Sequence, residues 1–219
     1  MPPTGASSNE AAQTGASRMG FVLAGGKSSR MGADKAFLDF GGQTLLDRAL
    51  RVLGGVCDRV AIVGDPAKFA NCGALKGESG KGESAVADIF PGCGPLAGIH
   101  AALAHSSADL NLMLAVDMPF VTAELLAFLL AAGENSDAVV ILPRTIKGFQ
   151  PLCAVYRREF CFVAEQALRA GRYKIGAAFS GVVLRIVEDA ELAAAGFSER
   201  SFFNLNTPQD RQQAENSLS

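Results

Sequence analysis

Short apolar runs alternate with segments of helical periodicity along most of this chain, and this alternation restricts the folds open to it more than any other feature. Apolar runs cover residues 20–24, 60–63 and 110–116, and the third is typical of a central strand because it is almost continuously apolar. A helical pattern over residues 45–53 separates the first two runs. The alternation predicts an α/β fold with a mostly parallel central sheet and helices on both faces, arranged as a three-layer sandwich.

The second half of the chain continues the same pattern. We predict a helix that begins near Pro95, a helix capped by Thr122, strands at 138–142, 150–156 and 182–187, and an amphipathic helix at 159–169. The C-terminal helix has a clear start, because Thr207 suits the N-cap, Pro208 the first helical position and Asp210 the third. We find no repeat or linker in the sequence and therefore predict one domain over residues 19–219.

Two segments differ in composition from the rest. Residues 1–18 are small and polar, lack the apolar centre of a signal peptide, and are predicted to be a disordered leader. Residues 64–84 are rich in Gly, Lys, Glu and Ser and are predicted to form a long mobile loop. No apolar stretch approaches the ~20 residues needed to cross a bilayer.

Charge and cysteine content exclude several classes of protein. The 219 residues carry a net charge of −2 with no basic run, so nucleic acid and anionic membranes are excluded as expected partners. The five cysteines are odd in number and form no C-x-x-C motif, which argues against a zinc site. His100 and His105 stand five positions apart and share no helix face. Free thiols indicate a reducing compartment, so we expect a cytoplasmic protein.

The first predicted strand ends in a segment suited to phosphate binding. Gly25 and Gly26 let backbone N–H groups approach an anion, and Arg30 and Lys35 follow as cations. The segment is not a P-loop, since Phe21 stands where its first glycine belongs, and it lacks the G-x-G-x-x-G of dinucleotide-binding loops. The alternative interpretation is an ordinary strand–helix connection with two surface cations.

Further polar residues follow the other predicted strands. Asp117 ends the central strand, where ligands of open α/β sheets bind, and its carboxylate is the best candidate for a Mg²⁺ ligand. The alternative is an aspartate that only ends a strand before a turn. Asn204 and Asn206 alternate and would share one side of an extended segment. Arg172 and the nearby Lys174 could hold an anion, although solvated loop cations are the commoner case.

Four ordered motifs resemble those of the molybdenum cofactor guanylyltransferases, within the nucleotidyltransferases that act on sugars and cofactors. The motifs are L-A-G-G-x-x-x-R-M-G-x-D-K at 23–35, P-G-C-G-P-L-A-G at 91–98, A-V-D-M-P-F at 115–120 and N-L-N-T-P at 204–208. The resemblance runs from about residue 19 to about residue 214. It implies the nucleotide-diphospho-sugar transferase-like fold, which is related to the Rossmann fold.

The resemblance also assigns roles to individual residues. It implies that the nucleotide is bound by Leu23, Ala24, Gly25, Gly26, Lys35, Asp88 and Asp117. Catalysis would rest on Arg30, Lys35 and Asp117, with Asp117 as the metal ligand. The acceptor would be bound by Gln150, Arg172, Asn204 and Asn206. One position departs from the family pattern, because Gly64 stands where some members place an asparagine that contacts the nucleotide.

The reaction implied by the resemblance is transfer of GMP from GTP to the terminal phosphate of the molybdenum-bearing molybdopterin, with release of pyrophosphate. The expected cofactor is Mg²⁺, with Mn²⁺ as the alternative ion. Transient contacts with other cofactor-biosynthesis proteins and with acceptor molybdoenzymes are expected. The alternatives are a cytidylyltransferase for the same pterin, a sugar-phosphate nucleotidyltransferase, and a nucleotide- or pterin-binding delivery module without turnover. The Ala24-Gly25-Gly26 sequence favours a guanylyltransferase over a cytidylyltransferase, because the cytidylyltransferases tend to show Ala-Ala-Gly.

Overall fold

A computed structural model describes residues 15–25, 34–70 and 82–216. Four parallel strands form one half of its sheet, in the order β3-β2-β1-β4. They are β1 (Arg18–Leu23), β2 (Arg59–Val63), β3 (Gly82–Val86) and β4 (Leu110–Ala115). Leu23 is in register with Val63 on one side and Ala115 on the other. The three central strands therefore end at one level, and whatever follows them gathers at one edge of the sheet.

The other half of the sheet contains antiparallel pairs. Its strands are β5 (Val140–Thr145), β6 (Gly148–Phe149), β7 (Cys153–Tyr156) and β8 (Leu184–Val187). Strand β7 lies antiparallel between β4 and β5, β8 runs parallel to β5, and β6 forms a short hairpin with the end of β5. The sheet is therefore mixed. Its parallel half supplies the carboxyl ends of β1, β2 and β4, where the predicted nucleotide-binding residues gather.

Helices cover both faces of the sheet, which confirms the predicted three layers. They are α1 (Leu45–Gly54), α2 (Pro66–Phe69), α3 (Pro95–His105), α4 (Ala123–Glu134), α5 (Phe160–Arg169), α6 (Ile175–Ala178), α7 (Asp189–Ala194) and α8 (Pro208–Asn216), with 3₁₀ turns at Lys35–Phe37 and Glu199–Phe202. Two apolar clusters separate the layers. Val22 packs into the cluster with α1 and α4, and its neighbour Phe21 into the cluster with α3 and α5.

Side-chain caps fix the helix starts where the sequence predicted them. The Thr122 hydroxyl accepts a hydrogen bond from the N–H of Leu125 at the start of α4. At α8 the Asp210 N–H donates to the Thr207 hydroxyl at 3.1 Å, and the Asp210 carboxylate accepts from the Thr207 N–H at 2.8 Å. This reciprocal pair is a capping box, and it confirms the predicted start of the last helix.

Two predicted segments differ from the structure at their boundaries. The predicted loop at 64–84 contains α2 and the first residues of β3, so it is wrong for the parts that the structure describes; residues 71–81 lie outside them. Helix α2 forms because the Asp65 carboxylate accepts from the Ala67 N–H and Pro66 takes the first helical position. The predicted leader falls mostly on residues 1–14, which also lie outside the description, while β1 already begins at Arg18.

Buried cysteine and helix composition add two negative findings. Burial raises the pKa of Cys153 to about 12, so this thiol is protonated and unsuited to nucleophilic catalysis at neutral pH. Cys57, Cys93, Cys153 and Cys161, the four cysteines within the described ranges, form no disulfide. In the described ranges, no helix combines the length and the apolar composition that a bilayer span requires.

Candidate active site

A cavity of about 670 Å³ opens at the carboxyl ends of β1, β2 and β4. It is lined by Leu23, Ala24, Gly25, Asp34, Lys35, Val63, Asp88, Gly92, Gly94, Pro95, Gly98, Ala115, Val116, Asp117 and Leu152. Six residues predicted to bind the nucleotide, Leu23, Ala24, Gly25, Lys35, Asp88 and Asp117, are thus brought to one cavity. The site is where open α/β sheets place their ligands.

The chain leaving β1 is held in place by backbone hydrogen bonds to its neighbours. The Ala24 N–H donates to the Val63 carbonyl at 2.9 Å, and the Val116 N–H donates to the Leu23 carbonyl at 3.2 Å. A Cβ at Gly25 would meet the Asp88 carboxylate only at 3.8 Å, so the protein itself does not require a glycine there. The missing side chain leaves room for a ligand against the backbone. Gly26 and Arg30 lie outside the described residues.

Lys35 joins the two other charged or polar groups on which the predicted chemistry depends. Its ammonium donates to Asp117 Oδ2 at 2.9 Å and to Asn206 Oδ1 at 3.0 Å. The chain around Asn206 is fixed nearby, because the Leu205 N–H donates to the Asp117 carbonyl at 2.8 Å. The side chains of Lys35 and Asp117 are only 20% and 19% exposed, so solvent screens this pair less than it would a surface pair.

Asn204 and Asn206 have different surroundings. The Asn204 amide donates to the Phe202 carbonyl at 3.3 Å and has no hydrogen bond to Lys35 among the described contacts. Asn206 meets Lys35 through its side chain, while its backbone N–H donates to the Asp210 carboxylate at 2.9 Å. Asn206 therefore serves both as part of the turn before α8 and as a member of the polar cluster.

Asp88 lines the cavity and has one carboxylate oxygen without a hydrogen-bond partner. Its Oδ1 atom is buried and has no hydrogen-bond partner, and burial raises the pKa of the carboxyl group. The carboxylate faces Gly25 on one side and Gly98 on the other, since a Cβ at either position would lie 3.8–3.9 Å from its oxygens. A buried acceptor without a partner is costly in a folded protein, and a ligand that donates a hydrogen bond would satisfy it.

The departure from the family pattern at Gly64 has a steric reason. A Cβ at this position would lie 2.8 Å from Cε2 of Phe69, closer than such contacts allow. Phe69 belongs to α2 and is fully buried, so its ring has no room to withdraw. An asparagine at 64 would therefore clash with Phe69, and this chain replaces that polar side chain with an apolar ring.

The residues predicted to bind the acceptor are not gathered in the cavity. Gln150 lies in the turn before β7, where its amide donates to the Thr145 hydroxyl at 3.2 Å and to the Gly148 carbonyl. It stands two positions from Leu152, which does line the cavity. Arg172 and Lys174 are exposed on the connection between α5 and α6 and are not among the lining residues.

Sequence reasoning missed two residues that shape this site. Asp34 lines the cavity and caps the turn that carries Lys35, since its carboxylate accepts from the Ala36 N–H at 3.1 Å. Lys68 pairs with the same carboxylate from α2. The D-K pair at the end of the first motif could have indicated Asp34. Lys68 gave no signal, because it lies in the segment predicted to be a loop.

The donor set near Asp117 suits a hard divalent cation. The Asp117 carboxylate and the Asn206 amide oxygen converge on one point, which the Lys35 ammonium now occupies, and both are the oxygen ligands that Mg²⁺ prefers. Within the described ranges, no group of three or more His, Cys, Asp or Glu side chains could hold a metal alone. The arrangement fits an ion that takes its remaining ligands from water and substrate phosphates.

Comparisons with known proteins point in one direction. The model of the MobA-like NTP transferase domain matches residues 20–182. A probable molybdenum cofactor guanylyltransferase of Pelotomaculum thermopropionicum is 37% identical over 202 residues, which cover 90% of this chain and 94% of that protein. The molybdenum cofactor guanylyltransferase of Desulfosudis oleivorans is 32% identical over 198 residues, 90% of this chain and 93% of that protein.

Solved structures give the same result. Molybdopterin-guanine dinucleotide biosynthesis protein A of Archaeoglobus fulgidus superimposes with a TM-score of 0.77 at 28% identity, over 92% of this chain and 98% of that one. The 4-diphosphocytidyl-2C-methyl-D-erythritol synthase of Anaerococcus prevotii superimposes with a TM-score of 0.70 at 13% identity, over 93% and 96% of the two chains. The second likeness shows the fold alone.

Proposed function

We infer the reaction of this protein from its family: the chain belongs to the MobA-like NTP transferases, whose domain model matches most of its length. It is a nucleotidyltransferase, and its relatives of 37% and 32% identity are named molybdenum cofactor guanylyltransferases. We propose that it transfers GMP from GTP to the terminal phosphate of the molybdenum-bearing molybdopterin and releases pyrophosphate. The observation that carries the proposal is the hydrogen-bonded cluster of Lys35, Asp117 and Asn206, because its lysine and aspartate line a cavity suited to a nucleotide.

The chemistry asks the protein for position and charge. An oxygen of the acceptor phosphate attacks the α-phosphorus of GTP, the bond from that phosphorus to the bridging oxygen of the β-phosphate breaks, and pyrophosphate leaves with the electron pair. A phosphate nucleophile is ionised at neutral pH, so the reaction needs no general base. Lys35, together with Arg30, would offset the charge on the departing pyrophosphate, and backbone N–H groups at Gly25 and Gly26 would hold the triphosphate.

The divalent ion has a defined place in this proposal. Asp117 and Asn206 would hold it once Lys35 moves its ammonium toward the phosphates. Bound there, Mg²⁺ or Mn²⁺ would neutralise charge on the phosphate oxygens and fix their orientation. The chain's own part is to supply one carboxylate and one amide oxygen at that point, and to leave the other coordination positions to the substrates.

Asp88 supports guanine as the base. Guanine carries two neighbouring N–H donors on its Watson–Crick edge, and the Asp88 carboxylate places Oδ2 toward Gly25 and an unpartnered Oδ1 toward Gly98. Cytosine presents only one amino donor on the corresponding edge. The Ala24-Gly25-Gly26 sequence favours the same choice.

The proposal also covers the second substrate and the residues that bind it. Gln150, Arg172 and Asn204 stay predicted acceptor residues, and Asn206 is supported more strongly than these because it reaches Lys35. We propose molybdenum-molybdopterin as the second substrate, with transient contacts to other cofactor-biosynthesis proteins and to acceptor molybdoenzymes. A cytoplasmic location fits this role.

Nucleotide binding tests the proposal first. Thermal unfolding is measured with GTP, CTP, ATP and UTP, each with Mg²⁺. A ligand at ~100 times its dissociation constant adds roughly 2.7 kcal/mol to the free energy of unfolding. We expect GTP to give the largest shift. Equal shifts with all four nucleotides would remove the argument from Asp88 and Gly25, and the largest shift with CTP would favour the cytidylyl reaction.

A further inference from the structure

The cavity carries more negative charge than a site for a triphosphate should. Its charged lining residues are the carboxylates of Asp34, Asp88 and Asp117 and the ammonium of Lys35, within the part of the chain that the structure describes. GTP brings several further negative charges. Asp117 is offset by Lys35 and by the divalent ion, and Asp88 by donors of the base. Asp34 is offset neither by Lys35 and the divalent ion nor by the base, so its charge needs another cation.

That cation is Lys68 on α2. Its ammonium forms an ion pair with the Asp34 carboxylate, and the two side chains are 23% and 33% exposed. It also lies over two aromatic rings, 4.7 Å from the centroid of Phe69 and 5.7 Å from that of Phe37. The two rings contact each other with their centroids 5.9 Å apart. Rings on which an ammonium rests restrict its position and add cation–π attraction.

Asp34 connects Lys68 to the turn that carries Lys35. Its second carboxylate oxygen accepts from the Ala36 N–H and so caps the turn Lys35–Phe37. The turn carries Lys35 at one end and Phe37, which touches Phe69, at the other. Helix α2 therefore contacts both ends of this turn, through the ion pair at Asp34 and through the ring contact at Phe37.

We propose that Lys68 is a positioning residue for the nucleotide site: it offsets the charge of Asp34 beside the triphosphate and fixes the turn that aims Lys35. The inference rests on the proposed function, because it takes the cavity to bind a nucleoside triphosphate. Lys68 lies outside the four family motifs and contacts no predicted substrate group itself. It acts through Asp34, whose uncompensated charge would repel the phosphates.

The proposal predicts a loss of affinity that appears only for ligands that carry phosphates. In Lys68→Gln, which keeps much of the apolar stem but removes the charge, the dissociation constant of Mg²⁺-GTP should rise about tenfold, since one nearby charge is left unscreened in a partly buried site. Binding of guanosine, which has no phosphates, should stay within about twofold by the same reasoning. Lys68→Arg should restore GTP binding, because a guanidinium keeps both the ion pair and the cation–π contact.

A second substitution isolates the charge. Asp34→Asn removes the carboxylate charge but retains an oxygen that can cap the turn. In the Lys68→Gln background it should recover most of the lost GTP affinity, and alone it should tighten GTP binding about threefold, because Lys68 then acts on the phosphates without a counter-charge. The single Asp34→Asn protein keeps the test available should Lys68→Gln fail to fold.

Both affinities are measured by titration calorimetry, with circular dichroism to verify folding. The matched control is Lys147→Gln, which removes the lysine of a surface ion pair with Glu199 and should leave GTP binding unchanged. Wild-type GTP affinity in Lys68→Gln would overturn the inference while leaving the proposed function intact. Parallel loss of guanosine binding, or no recovery with Asp34→Asn, would also overturn it. Absence of GTP binding by the wild-type protein would refute the proposed function and this inference with it.

Discussion

Replacing Asp88 by asparagine should stabilise the protein without ligand and weaken its binding of GTP. The stabilising effect follows from burial, which raises the pKa of this carboxyl above its ordinary value of 3.8. The folded state then binds the proton more tightly than the unfolded state. Wild-type stability therefore falls as pH rises through the interval between the two pKa values, and the loss persists at pH 7. Asparagine cannot ionise and escapes that loss.

The effect on binding has the opposite sign. If the Asp88 carboxylate accepts from guanine, the wild-type contact is a hydrogen bond to a charged group, worth about 1.5–3 kcal/mol. Its loss corresponds to a GTP dissociation constant about 10- to 150-fold higher in Asp88→Asn, while CTP and UTP should change much less.

The assay is thermal and chemical unfolding of both proteins from about pH 2.5 to about pH 7, a range that extends below the ordinary carboxyl pKa of 3.8, with and without Mg²⁺-GTP. Without nucleotide, the stability advantage of Asp88→Asn should be present at pH 7 and shrink as the pH falls. Asp109→Asn is a matched control of opposite sign. Hydrogen bonds from the Ser17 hydroxyl and N–H lower the pKa of Asp109, so its wild-type contribution is lost as pH falls. Undiminished GTP affinity in Asp88→Asn would refute the assignment of this carboxylate to the base.

Three other substitutions test separate parts of the site. Lys35→Ala should reduce pyrophosphate release by ~10²–10³ with the fold intact, because it removes one preorganised charge, and unchanged release would contradict its placement at the phosphates. Asp117→Asn should lower turnover by orders of magnitude and recover in part as Mg²⁺ is raised; wild-type rates at every Mg²⁺ concentration would exclude a metal role. Gly64→Ala should cost about 1–3 kcal/mol of unfolding free energy through its clash with Phe69. In a Phe69→Leu background the same change should cost less, and an equal cost in both would show that the ring is not the obstacle.

The parts of the fold that could be predicted are those governed by local pattern. Strand β4 and helix α1 follow from apolar periodicity, and the start of α8 from the chemistry of Thr207 and Asp210. The antiparallel insertion of β7 between β4 and β5 could not be predicted, since local periodicity does not encode strand order. The predicted strand at 150–156 also begins too early, since Gln150 lies in a turn and β7 begins only at Cys153.

The site divides in a similar way. Lys35, Asp117 and Asn206 were predicted because each lies in a motif, although the lysine is 82 and 171 positions from its partners. Contacts between α2 and the turn at Lys35 carry no motif, because an ion pair and two ring contacts between distant segments leave no period in the sequence. The missing partner of Asp88 is likewise a property of packing and cannot be read from residue types.

Guanylyl transfer itself is tested most directly by incubating the protein with molybdenum-molybdopterin, Mg²⁺ and either GTP or CTP. Pyrophosphate and the dinucleotide form of the cofactor are then quantified together. The proposed function predicts that GTP yields both products in equal amounts and that CTP yields little of either. Equal or faster turnover with CTP would contradict guanine specificity. Tight binding of GTP without pyrophosphate release would contradict catalysis and identify a binding module instead.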